Sequence, residues 1–167
     1  MAWSLNHQGD LALQQHEMDA AHRLYEDALA IFRQLEEKSG VGRCLSDLGD
    51  LAREQGDYKA ADRFYLESLA TFQEQDQKRS ILGIFENLAC SAVGQELWRR
   101  SIRLAGAAAA LRQLLHRPLL LSEKEKLDLS LEPARLALTG AEAATTWMEG
   151  WKMPLEQVIE YAMTPGE

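Results

Sequence analysis

Between residues 58 and 75 the large apolar and small residues Ala61, Phe64, Tyr65, Ser68, Leu69 and Phe72 recur three or four positions apart. That spacing draws one stripe along an α-helix. Gly56-Asp57 precedes the stripe and reads as a turn, with Asp57 placed to cap the helix start. A second helix is predicted just before it, from about Val41 to Gln55. The unit is therefore two helices and a turn.

The chain then matches itself at an offset of 40 residues. Leu5 falls on Leu45, Gly9-Asp10-Leu11-Ala12 on Gly49-Asp50-Leu51-Ala52, and Ala20-Ala21 on Ala60-Ala61. Tyr25 meets Tyr65, Leu29-Ala30 meets Leu69-Ala70, and Phe32 meets Phe72. A weaker third copy runs through Phe85, Leu88, Ala89, Ser101, Ala105 and Ala108. Such periodicity marks a helical repeat. The turns of copies one and three fall at His16-Glu17 and near Glu96-Leu97. Gly9, Gly49 and Ala89 stand where the two helices of each hairpin should approach closely, and Ala21, Ala61 and Ser101 follow on the second helix, because small side chains shorten the distance between helix axes.

In copy two the pattern reads Leu45, Leu48-Gly49, Gly56-Asp57-Tyr58, Ala61, Tyr65 and Ser68. It resembles the tetratricopeptide repeat, over residues 2 to about 116. The usual unit of that family is about 34 residues, so a 40-residue unit implies longer helices or longer links. The usual proline after the second helix is absent; Gln34 to Lys38 and Gln73 to Lys78 read as polar extensions of that helix. The resemblance implies an all-α, right-handed solenoid of three hairpins (about 2–38, 41–78 and 80–116, together 1–118), with first helices lining a concave face that binds a protein or peptide.

Residues 119–167 read as a helical cap. Ser122 with Glu125 forms a helix start, Pro133 should kink or split the helix that follows, and Thr139-Gly140 should stop it. Ala141 to Trp151 and Leu155 to Met163 form two short helices. Leu127, Leu131, Leu136 and Leu138 require burial, and Trp147 and Trp151, four apart, share a face that packs on the last repeat. The run Leu138-Thr139-Gly140, Thr146-Trp147-Met148-Glu149-Gly150 and Pro154-Leu155-Glu156 resembles the end of large bacterial ATP-binding regulators, including LuxR-type transcription regulators. That resemblance implies a place in a signalling or transcription regulator.

Charge narrows the partners. At −8 the chain is a poor match for nucleic acid or an anionic membrane. The apolar run from Leu104 to Leu111 is too short to span a bilayer. Arg99, Arg100 and Arg103 read as a solvated face pairing with acids. Cys44 and Cys90 form no motif and read as reduced thiols, which suits a cytoplasmic protein. His7, His16, His22 and His116 lack metal-ligand spacing, and Ser46, Asp47 and Asp50 have no histidine beside them for a nucleophile. Gly40-Val41-Gly42 lacks the Lys-Ser/Thr of a phosphate loop and reads as a link between hairpins. No enzyme, cofactor or metal is expected.

Helical spacing points nine residues into the groove: Asn6, His7 and Asp10; Arg43, Asp47, Asp50 and Arg53; Glu86 and Asn87, with Cys90 beside them. The mixture suits a helix or extended peptide with basic and polar groups. It should repel the carboxylate tails that some tetratricopeptide domains clamp. Trp3, Leu5 and Leu11 leave an apolar N-terminal end, which suggests self-association or a longer protein. The alternatives are a self-associating structural unit and an accessory domain of an enzyme.

Overall fold

The computed structural model describes residues 1–164. Those residues are all-α, with no strand. In chain order the helices are α1 (Ala2–Gln14), α2 (Met18–Gln34), α3 (Lys38–Glu54), α4 (Tyr58–Glu74), α5 (Lys78–Gly94), α6 (Trp98–Leu114), α7 (Leu121–Ala137), α8 (Gly140–Lys152) and α9 (Leu155–Met163). They form two compact units, residues 1–77 and residues from 78 onward. The third hairpin, α5 with α6, shares the second unit with the tail helices.

The 40-residue period resolves into two periods of 20. Helices α2 to α6 are each 17 residues long, and three-residue links separate them. Longer helices, not longer links, therefore account for the length of the repeat. Every link turns at its middle residue, which has positive φ: His16 (60°), Glu36 (53°), Gly56 (79°), Asp76 (49°) and Glu96 (60°). The next amide then reaches back over the helix end, as Glu17 N to the Ala12 carbonyl at 2.9 Å and Leu97 N to the Ala92 carbonyl at 2.9 Å. This is the six-to-one closure of a Schellman end, and it satisfies carbonyls that the helix leaves open. The stretches 34–38 and 73–78 are thus links with helix ends on either side, which corrects their reading as helix extensions. Asp57 caps α4 as expected, accepting from Ala60 N at 2.9 Å; Glu37 does the same for α3 from Gly40 N at 3.1 Å.

Gly40-Val41-Gly42 is not a link. It is the first turns of α3. Its glycines sit under aromatic rings: a Cβ on Gly42 would lie 2.7 Å from the Phe72 ring, and one on Gly40 would enter the Phe32 ring. The same rule governs each hairpin of the first unit. A Cβ on Gly9 would stand 2.5 Å from Tyr25, and one on Gly49 2.5 Å from Tyr65. Both tyrosines are fully buried. In the third hairpin the matching positions are Ala89 and Ala105, both buried. Where the ring is gone, the facing residue carries a methyl.

The second unit docks its tail differently. Helices α6 and α8 cross at backbone distance, because Gly106 faces the Trp147 carbonyl and Gly150 faces the Arg103 carbonyl with no room for a Cβ. Trp147 and Trp151 are half-buried beside this crossing. Helix α7 starts after Leu120, whose amide donates to Glu123 Oε2 at 2.9 Å. The expected cap at Ser122 is therefore two residues late. The helix also runs unbroken through Pro133, and Thr139 caps α8 by accepting from Glu142 N at 3.2 Å. Leu131 is buried, but Leu136 is 78% exposed, against expectation. In the first unit, Ser4 and Gln8 are exposed where α3 buries the matching Cys44 and Leu48. Trp3, 45% exposed, leans edge-on against Phe32 at 4.8 Å.

Two stability predictions follow from the links and the rings. Replacing Glu96 by glycine should raise stability by about 1 kcal/mol, because a left-handed residue with a Cβ carries that strain. Gly49→Ala should destabilise by about 1–3 kcal/mol although alanine favours helices. Its cost should shrink in a Tyr65→Ala background. Urea unfolding of the four proteins in that cycle measures the coupling; equal costs in both backgrounds would remove the ring as the cause.

Candidate functional site

In the first unit, α1, α2 and α3 enclose an open cleft of about 370 Å³ lined by Asp10, Leu13, Gln14, His16, Tyr25, Arg43, Asp47, Asp50 and Glu54. Helical period brings its acids together. Asp10 and Asp50 occupy matching places on successive first helices. Each is held by a tyrosine fifteen residues later, on the following helix. Tyr25 Oη donates to Asp10 Oδ1 at 3.0 Å, and Tyr65 Oη donates to Asp50 Oδ1 at 2.7 Å. One oxygen of each carboxylate is thus fixed by the core.

Arg43 spans the floor. Its Nε donates to Asp47 Oδ2 at 2.9 Å, one turn along α3, and its Nη2 lies 3.6 Å from Asp10 Oδ2. Asn6 Nδ2 donates to the same Asp47 oxygen at 2.7 Å, while Asn6 Oδ1 is buried without a partner. Arg53 Nε donates to Tyr65 Oη at 3.3 Å, and its Nη2 stands 3.8 Å from Asp50 Oδ1. Burial pushes the Asp47 carboxyl up to about 6, against the pull of Arg43 and Asn6. Burial also raises Asp50, against Tyr65, Arg53 and Arg43. The phenols of Tyr25 and Tyr65 are held far above their ordinary range by burial and by the neighbouring carboxylates. Cys44 is pushed up to about 12, mostly by burial. These shifts keep the thiol and the phenols protonated, so they are not activated nucleophiles.

The candidate groove residues do not all reach the cleft. Asp10, Arg43, Asp50 and the mostly covered Asp47 line the cleft, and Arg53 flanks it through Tyr65 and Asp50. Asn6 and Asp47 are 1% and 5% exposed. They do not face open solvent, because α1 and α3 pack against each other and bury the side chains between them. His7 is exposed outside the cleft lining. Glu86 and Asn87 belong to the second unit, where Glu86 is ion-paired with Arg112 and Asn87 is half-buried. Sequence reasoning missed Tyr25 and Glu54. The signal for Tyr25 was present: the Asp–Tyr separation is the same in both copies. Among the described residues, no three His, Cys, Asp or Glu side chains are grouped to hold a metal ion.

The basic cluster of the second unit clamps the tail, with Arg99 on the solvated face as expected and Arg100 buried. Arg99 pairs with Glu142 at 2.7 Å, and Arg103 pairs with Glu149. Arg100 is buried and donates to the carbonyls of Tyr161 (3.2 Å), Ala162 (2.6 Å) and Thr164 (2.9 Å), closing the C-terminus of α9. Pairing with acids was expected; the burial of Arg100 was not.

Asp47 sets a pH dependence. Its carboxyl takes up a proton at higher pH in the folded chain than the ordinary 3.8. The folded state therefore binds the extra proton between pH 4 and 6, and stability should fall as pH rises through that window. Thermal melts at pH 5 and 7 should show the native chain gaining stability at pH 5 relative to Asp47→Asn. A parallel response of the two proteins would remove Asp47 as the source.

Comparison with known proteins falls on the helices that build this cleft. No curated protein and no solved structure matches the chain. Residues 1–74 match the family model of the tetratricopeptide repeat, which supports a tetratricopeptide-repeat domain made of the hairpins α1–α2 and α3–α4.

Proposed function

We propose that the first unit binds a segment of another protein through the acidic cleft, and that the segment presents a lysine or arginine. Tetratricopeptide repeats are in general protein-interaction modules. The observation that carries the finer reading is the arrangement of carboxylates. Arg43 pairs with Asp47 and approaches Asp10, and Arg53 approaches Asp50, yet the four acids Asp10, Asp47, Asp50 and Glu54 outnumber these two arginines and leave the cleft negative. Asp10 and Asp50 are about a third exposed, at 29% and 31%, and each is oriented from behind by a phenol. A cation entering there meets carboxylates already oriented by the phenols, which favours binding. A carboxylate meets repulsion.

The wider setting, as part of a bacterial signalling or transcription regulator in the cytoplasm, is supported by the pattern of residues 138–156 alone. The absence among the described residues of a helix long and apolar enough to cross a membrane fits that setting. The reading as a non-catalytic module is supported by the protonated Tyr25 phenol of the cleft and by the buried, protonated thiol of Cys44.

An array of short peptides differing only in a central Lys, Arg, Asp or Glu, probed with the full chain, tests the cleft. The basic peptides should bind and the acidic ones should not. Asp50→Asn and Glu54→Gln should each weaken binding about fivefold, the scale of a partly exposed ion pair. Asp47 is unsuitable for this test, since its loss removes the short hydrogen bonds that Arg43 and the buried Asn6 make to it. Micromolar binding of an acidic C-terminal peptide would overturn the reading.

A further inference from the structure

Helix α7 is apolar on two sides. One side is buried in the second unit through Leu131 (1% exposed) and Ala134 (0%). The opposite side carries Leu129 and Leu136, at 71% and 78% exposure. Single exposed leucines are ordinary on a protein surface. These two are seven residues apart and alternate with acids on the same face: Glu125, Leu129, Glu132 and Leu136 step by four, three and four. That is the spacing of a helix-pairing seam, with leucine at one seam position and glutamate at the other. Asp128 lies beside it and is already paired with Arg135 at 2.9 Å. Glu125 and Glu132 are left for a cation from outside.

We infer that this face of α7 is a docking surface for a basic amphipathic helix of another protein, with apolar residues against Leu129 and Leu136 and lysine or arginine against Glu125 and Glu132. Charge selects this occupant. A parallel second copy sets Glu125 and Glu132 against themselves. An antiparallel copy sets leucines against carboxylates. Both arrangements desolvate acids without a counter-charge, which is costly. An anionic lipid surface is repelled by the same carboxylates. A helix bearing cations in the facing seam satisfies both the leucines and the acids.

The surface lies in the second unit and is independent of the cleft in the first. The probe is a synthetic helical peptide of about three heptads, with leucine and lysine at the two seam positions, and its counterpart with glutamate in place of lysine. Fluorescence anisotropy with the full chain should show the lysine peptide binding at least about tenfold more tightly. Leu129→Ser with Leu136→Ser should abolish that preference without lowering the melting temperature, because both side chains are exposed. Glu125→Lys with Glu132→Lys should reverse it. The inference is overturned if the lysine peptide does not bind, or if its binding survives the two serine substitutions. It is likewise overturned if Asp50→Asn in the cleft removes the binding instead. Concentration-dependent self-association abolished by the serine substitutions would assign the face to a second copy and overturn the proposed partner.

Discussion

The contact on which the first unit depends is an aromatic ring laid directly on a helix backbone. Tyr25 covers Gly9 and Tyr65 covers Gly49, each at a distance that excludes a Cβ. Glycine inside a helix costs about 0.5–1 kcal/mol relative to alanine, so its recurrence needs a reason. The ring supplies it: burying a tyrosine removes far more apolar surface from water than a methyl does. The same logic places Gly40 and Gly42 at the start of α3, under Phe32 and Phe72. Four helix glycines are thus explained by four aromatic side chains.

That contact also creates the cleft. A tyrosine lying flat on the neighbouring helix must satisfy its hydroxyl, and in both hairpins the acceptor is an aspartate fifteen residues earlier. The hydrogen bond that completes the core is the one that orients Asp10 and Asp50. Stacking α1 on α3 then gathers the acids around Arg43 and buries Asp47 among them. The polar groups of the cleft and the apolar packing beneath it are one arrangement. In the third hairpin Ala105 replaces the tyrosine and Cys90 replaces the aspartate, so ring and acceptor are lost together.

The second unit holds its tail by other means. Two glycines let α6 and α8 cross at backbone distance. Three arginines from one stretch of α6 then fasten the tail, two through glutamates and one through the carbonyl end of α9. Tyr161 lies under two of them, with the guanidinium carbons of Arg100 and Arg103 each 5.2 Å from its ring centre. Helix α7 is held on one side only, so its other apolar side remains on the surface.

By itself the sequence determined the helical class, the hairpin order and the turns at residues 16–17, 56–57 and 96–97. Those rest on local periodicity and capping, which neighbouring residues encode. It also pointed to the small residues at the close approaches, because they recur at a fixed offset. It did not reveal the 20-residue metric, since only one of the five left-handed link positions between α1 and α6 is glycine and the others carry no local mark. Nor did it carry the second helix pair's first helix back through Gly40 to Lys38, since Gly40-Val41-Gly42 read as a link at its start. Glycines signal a link unless one knows which ring lies above them, and Phe72 is 30 residues away. Burial of Asn6 and Asp47, the carbonyl clamp of Arg100 and the exposure of Leu136 were likewise decided by tertiary structure. Each depends on which helix packs against which, and at what rotation, and residue type alone does not specify that.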